Sequence, residues 1–308
     1  MSSDASIHDN FIRSILSNKS IAVEYFKNYL PAFISSRLNF STLRQLPDTY
    51  LSEDLKKTMS DIVYSCRRKG TKEPVKVSLL VEHKSYPDKY TPIQIGSYIF
   101  SALQKQAVNK EPLSLVIPVL LYHGKGKWQY RNLADLFEET DKDWQQYIPN
   151  FEYVYNNLGV LNDEAIERLN NKFLAASVLA LKHSVEKEWL EQNAGRLLIL
   201  ASQGPGRLQK GFIIYLFSRA SLEGKKILNS LPVQVKEKVM NTLDIYIEKG
   251  RKEGLEKGRK EGLEKGLEKG KEQVVRNLLS DTDFTIARIA SLANVTEAFV
   301  RKVRSALK

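Results

Sequence analysis

The stretch SDIVYSCRRKGTKEPVKVSLLVEHKS, Ser60 to Ser85, decides how this chain is read. Its two ends, 60–67 and 75–84, alternate in side-chain character, and the segment between them is polar and carries Gly70 and Pro74. Period-two alternation marks strands, and a polar Gly/Pro break between two such runs marks an antiparallel hairpin. The same alternation sets Glu82 and Lys84 on one face of the second strand and His83 on the other. A hairpin partner can bring Asp61 beside them. Two carboxylates and a lysine at one sheet edge are costly, because like charges repel and each needs compensation. A divalent cation supplies it: hard oxygen donors from Asp61 and Glu82 suit Mg²⁺ or Mn²⁺. Such an ion activates water against phosphorus and neutralises developing charge. Lys84 would orient that water or help deprotonate it.

Working outward, residues 7–30 carry apolar side chains at helical spacing, with Pro31 as the stop. A further extended segment is expected over 42–52. Residues 92–108 read as a helix. The apolar run 113–122 reads as a strand covered on both faces, with Val116, Ile117, Val119 and Leu120 expected inside. The order is helix, three strands, helix, strand: an α/β core. From Asn162 to Glu248 the pattern turns helical, with candidate helices at 165–181, 189–202, 207–221 and 233–247.

An internal repeat follows. RKEGLEKG occurs at 251–258 and again at 259–266, and glycines recur every four residues from Gly250 to Gly270. Charges pair at i,i+4, as Lys252 with Glu256 and Glu253 with Lys257. Each interior glycine nevertheless costs a helix about 1 kcal/mol relative to alanine. The repeat therefore reads as a solvated, flexible connector, or as a helix that needs another helix to pack against. The last segment reads as two short helices: Phe284, Ile286, Ile289 and Leu292 on the first, a break at Asn294, then a second capped by Thr296. The pair resembles a helix-turn-helix hairpin, weakly so without a third packed helix.

Composition excludes several classes. The 308 residues hold 47 Lys plus Arg against 36 Asp plus Glu, net +11. A hydrophobic fraction of 42% with 14 Tyr and 12 Phe rules out a wholly disordered chain. Cys66 alone permits no intramolecular disulfide and suits a reducing, cytoplasmic setting. No apolar run is long enough to span a membrane, and the first residues contain no secretory pattern. The basic balance favours an anionic partner, with DNA ahead of a membrane surface. The repeat has too few bulky apolar residues to lie on a bilayer.

Asp61, a gap of about twenty residues, then Glu82-x-Lys84, on this order of elements, resembles the PD-(D/E)xK nuclease superfamily. The likeness extends to His8-Asp9 and Phe11 on the first helix, Tyr29-Leu30-Pro31, Ser60-Asp61-Ile62-Val63-Tyr64, Leu80 to Ser85, and Tyr122-His123-Gly124. These motifs together resemble the Rpn family of recombination-promoting nucleases. The resemblance implies an αβββαβ restriction-endonuclease-like core with a helical C-terminal region, and Mg²⁺-dependent hydrolysis of DNA phosphodiester bonds, with Mn²⁺ or Ca²⁺ as other candidate ions. It implies Asp61, Glu82 and Lys84 as the active triad. Asp61, Glu82 and the His83 carbonyl become metal ligands. Asp9 on the first helix and Gln94 on the next are supporting candidates. Family members often carry Gln where this chain has Lys84, so the full set strengthens the catalytic expectation. The superfamily's Pro-Asp is Ser60-Asp61 here. The competing reading is a non-catalytic DNA-binding or interaction protein that keeps the fold.

His8 reads as a hydrogen-bonding group of the first helix, His83 as structural, His123 as a strand-end histidine, and Cys66 as core. Trp128, amid Lys125, Lys127 and Arg131, suits core burial and DNA contact equally. The expected organisation is a nuclease core over 1–155, a helical subdomain over 156–247, a repeat helix over 248–273 and a terminal hairpin over 274–308. The tail is expected to support a homo-oligomer. Met240 follows Lys236-Glu237, codons for which can form a bacterial ribosome-binding sequence. A short C-terminal product starting there is thus a candidate regulator.

Overall fold

The computed structural model describes residues 2–47, 62–70, 77–137, 139–220 and 224–307, with the backbone alone at 2–6, 77–83 and 224–226. The expected first helix is two: α1 (Ser2–Leu16) and α2 (Lys19–Tyr29). The break falls at Asn18, whose extended backbone and side-chain oxygen cap α2 by accepting from the Ser20 and Ile21 amides at 3.1 and 3.3 Å. Periodicity continues across such a break, but the competing cap ends the first helix. A single turn, α3 (Ala32–Ser35), follows Pro31.

The sheet contains β1 (Leu38–Gln45), β2 (Ile62–Arg68), β3 (Val77–Lys84), β4 (Val116–Tyr122) and β5 (Val154–Asn157), neighbours in chain order. β1 begins four residues before the expected 42–52, and 48–52 lie outside the described residues. β2 and β3 form the expected antiparallel hairpin, with Ile62 opposite Val81 and Cys66 opposite Val77. After α4 (Thr91–Val108) the chain returns as β4, parallel to β3, with Glu82 opposite Leu120 and Lys84 opposite Tyr122. This is a mixed α/β arrangement.

β4 is shorter than the run 113–122, because Ser114 is held off the ladder by the Gln106 side chain, at 2.6 Å from its amide and 3.0 Å from its hydroxyl. Val116, Val119 and Leu120 are buried as expected, whereas Ile117 is only half-buried beside the exposed entry residue Leu115. Four-residue β5 has no counterpart in the sequence reading.

The helical region holds α5 (Lys142–Gln145), α6 (Asp163–Glu167), α7 (Lys172–Lys182), α8 (Lys187–Ala201), α9 (Gly206–Arg219) and α10 (Gly224–Asn229). The expected helix at 165–181 is again divided by a cap, with Asn171 accepting from the Leu174 amide at 2.9 Å. Every residue from Phe173 to Leu181 is buried, so α7 is an internal helix. α1 packs on α9, and the Phe11 and Tyr215 rings stack at 3.9 Å.

The chain divides into two compact units, Met1–Thr242 and Leu243–Lys308. The glycine repeat, read as either a flexible connector or a helix and assigned to a repeat helix over 248–273, is helical throughout, inside the 49-residue α11 (Val233–Asp281). Lys249 pairs with Glu253 at 3.7 Å and Lys257 with Glu261 at 3.9 Å, and Lys252 turns back to Glu248 at 3.8 Å rather than on to Glu256. Such pairs each contribute about 0.2–0.5 kcal/mol, too little to offset six glycines. A Cβ at Gly254, Gly258 or Gly262 would meet no atom of this chain within 4 Å. Alanine at these three sites therefore stabilises the helix by about 1 kcal/mol each, measured as a rise in the melting temperature of far-UV helicity. A fall would mean that a second chain uses the space the glycines leave.

In the second unit, α12 (Ile286–Ala293) and α13 (Glu297–Ser305) flank Asn294, which sits in the left-handed region at φ 49°. Thr296 caps α13 as expected. Ile289, Ala290, Ala293, Val300 and Val303 form the core with Val275, while Leu292 on the same helix as the first three is half exposed. Val275, Leu278 and Leu279 belong to α11, whose C-terminal turns supply the third packed helix that the sequence reading lacked.

Candidate active site

The parallel strands β3 and β4 end side by side, and the sequence-predicted residues gather there to different degrees. Glu82, His83 and Lys84 are the last three residues of β3. Positions 82 and 84 share a strand face by the two-residue period. Asp61, the residue before Ile62, lies outside the described residues, as do the side chains of Glu82 and His83. Among the described residues no three His, Cys, Asp or Glu side chains are clustered to hold a metal.

The Lys84 side chain is 12% exposed, and its ammonium lies 3.6 Å from Asp88 Oδ2 and 6.0 Å over the Tyr86 ring. Asp88 is fixed in turn, since its Oδ1 accepts from the Tyr90 amide at 2.9 Å. Sequence reading missed Asp88. Its only signal was an acid four residues after the lysine, beyond the strand end, where spacing rules for sheets and helices give no guidance. The arrangement holds a cation at a strand terminus, with the Asp88 carboxylate beside it.

Gly124 explains how the two strand ends meet. The His123 amide donates to the Lys84 carbonyl at 3.1 Å, and the chain then crosses Ser85 so closely that a Cβ on Gly124 would lie 2.0 Å from the Ser85 carbonyl oxygen. Backbone cannot yield there as a flexible side chain would. Gly124→Ala should cost about 1–3 kcal/mol, like other overpacking, and displace Lys84. Chemical denaturation of the variant measures the loss.

The first helix reaches the same strand ends from the other side. His8 is buried, with Nδ1 2.9 Å from the Tyr215 hydroxyl and its ring 4.7 Å from that of His123. His123 is buried as well. Both therefore serve as packed, structural histidines, as read from the sequence. Asp9 follows His8 and is half-buried. Gln94 is half-buried in the first turn of α4, and its amide donates to the Tyr98 hydroxyl along the same helix. Neighbouring Ile95 packs on Leu120, the strand partner of Glu82. Cys66 is buried, its thiol pushed up by that burial. Trp128 is partly buried against a cluster of Ile95, Leu120 and Tyr153, the core-packing alternative of the two read from the sequence.

A family model described as "Putative transposase, YhgA-like" matches residues 6–205. Recombination-promoting nuclease RpnA of Escherichia coli K12 is 25% identical over 215 residues, covering 68% of this chain and 71% of that protein. RpnC of the same strain is 26% identical over 119 residues, 38% of this chain and 39% of its own. A protein named inactive recombination-promoting nuclease-like protein RpnE, also from that strain, is 24% identical over 262 residues, 82% of this chain and 85% of its own. No solved structure matches the chain.

Proposed function

Because this chain belongs to the Rpn family, matched by the model described as "Putative transposase, YhgA-like", we propose that it is a metal-dependent DNA endonuclease on a PD-(D/E)xK core. One observation carries the reading: the β2–β3 register. Ile62 pairs with Val81, so chain connectivity keeps Asp61 and Glu82 each one residue from a bonded pair. Lys84 closes the same strand with a nearly buried ammonium. The element order, helix, antiparallel β1–β2–β3, helix, parallel β4, is the order the superfamily resemblance implies.

The donor set fits a hard divalent cation, since Asp61, Glu82 and the His83 carbonyl all offer oxygen. When bound, Mg²⁺ supplies charge neutralisation and a lowered water pKa. The chain's own part is to orient. Lys84 meets charge developing on a non-bridging phosphate oxygen, and Asp88 steadies the lysine between turnovers. Asp9 and Gln94 support this reading as neighbours of the strand ends rather than as ligands. The test is supercoiled plasmid incubated with Mg²⁺, Mn²⁺, Ca²⁺ or EDTA, beside Asp61→Ala.

The second reading is a DNA-binding protein without cleavage. The relative named inactive, matched over most of this chain, favours it. Duplex binding unchanged by EDTA, with no cutting in any metal, would select it.

DNA is the proposed macromolecular partner of both readings, and the three-helix end of the second unit suits it: Arg301, Lys302 and Arg304 are exposed on α13. A membrane partner is not proposed, and no helix among the described residues is long and apolar enough to cross one. The cytoplasm is the proposed location. A homo-oligomer through the exposed repeat helix would regulate the nuclease. So would a separate product beginning at Met240, which is supported by the unit boundary at Thr242–Leu243, two residues on. An immunoblot against the C-terminus should then reveal a second, small band that disappears when the Met240 codon is changed.

A further inference from the structure

Beside the edge strand β5 lies a cleft of about 410 Å³, lined by Tyr29, Trp128, Tyr130, Tyr155, Asn156 and Asn157. Four aromatic rings and three carboxamides, Gln129 included, around one open cavity is an unusual concentration in a chain with only three tryptophans. The rings are held rather than loose. The Tyr155 hydroxyl donates to the Trp128 carbonyl at 2.9 Å, and the Trp128 ring meets those of Tyr122 and Tyr155 edge-on at 4.9 and 5.7 Å. Asn156 donates to the Tyr25 hydroxyl at 3.0 Å, and Asn157 accepts from the Gly159 amide at 2.9 Å. Both amides are therefore preset.

The cleft's place in the sheet gives it meaning. Register carries Glu82 across to Leu120 and then Tyr155, and Lys84 across to Tyr122 and then Asn157. Partners in parallel strands share a face and strands lie about 4.8 Å apart, so Tyr155 and Asn157 stand about 10 Å from the Glu82-x-Lys84 positions on that face. Asn156, in register with Leu121 and His83, belongs to the other face, and the cleft wraps the edge strand β5. It also lies at the carboxyl ends of three parallel strands, where open α/β sheets bind ligands. The segment supplying Trp128 and Tyr130 presents Lys125, Lys127 and Arg131 to solvent. Aromatic rings that stack any base, amides that read base edges and flanking cations for phosphate make the chemistry of single-stranded nucleic acid recognition.

We infer that this cleft receives an unpaired base of the strand whose phosphate lies at Glu82 and Lys84. The inference rests on the nuclease reading for its geometry, and base binding can be tested apart from cleavage. Full-length protein in EDTA is titrated by fluorescence anisotropy with a labelled oligothymidine, an abasic oligomer of equal length, and a duplex. The oligothymidine should bind about tenfold tighter than the abasic chain, a difference of about 1.4 kcal/mol. Tyr130→Ala and Val160→Gln, both at exposed rim positions, should remove that preference and leave abasic binding unchanged. Equal binding of the abasic chain, or a preference that survives in both variants, would overturn the inference. Plasmid cutting without base preference sinks the cleft alone. Base preference without cutting sinks the nuclease reading alone.

Discussion

Glu82→Gln should lower Mg²⁺-dependent plasmid cutting by about 10³-fold, and Lys84→Ala by about as much. On the proposed mechanism both would act where charge develops, and removing one such interaction from a preorganised site typically costs 10²–10³ in rate. The Gln keeps size and one oxygen but removes the negative charge that a hard cation requires. Lys84 stands at the end of β3 with its side chain nearly buried and its ammonium directed by Asp88. Lys84→Arg should not restore the rate, since a planar fork cannot reproduce a compact point charge. Far-UV circular dichroism should be unchanged in all three variants, because β3 is held by backbone ladders on both sides. Metal-dependent cutting that persists in both Glu82→Gln and Lys84→Ala would remove the site assignment.

The second large effect is on binding. With a net charge of +11 and exposed cations on both units, duplex affinity should fall by about 10³-fold between roughly 50 and 200 mM salt if about six phosphates are contacted. The cause is counterion release, which scales with the number of phosphates neutralised. Lys302→Ala on α13 should reduce the slope of log affinity against log salt by about one and weaken all sequences alike. Anisotropy titrations at several salt concentrations give both numbers. A flat dependence would exclude a duplex as the substrate.

The hairpin over 62–84 was legible because alternation, a Gly/Pro turn and short-range pairing all point the same way. The Asn294 break and the Thr296 cap were legible for the same reason: a turn residue and a cap act within a few positions. Helix boundaries at Asn18 and Asn171 were not, since apolar periodicity runs straight through a cap that competes with it. Propensity alone left the repeat open, since glycine content favours a loose connector and the i,i+4 charge pairs a helix; the segment from 250 to 270 is helical within α11.

Local sequence by itself determined the antiparallel hairpin, the Glu82-x-Lys84 motif at its end and the buried strand that follows. These depend on residues close along the chain, whose spacing carries the periodicity. Only the tertiary structure decided the rest. It ran β5 beside β4 and closed the aromatic cleft between Tyr29 and the segments at 128–130 and 155–161. It set Gly124 against Ser85 and joined His8 to Tyr215 across 207 residues. It also folded the end of α11 onto the terminal hairpin. Each of these is a contact between side chains or backbones remote in sequence, selected by packing and burial of the whole chain, and no local pattern encodes which distant partner will fill the space.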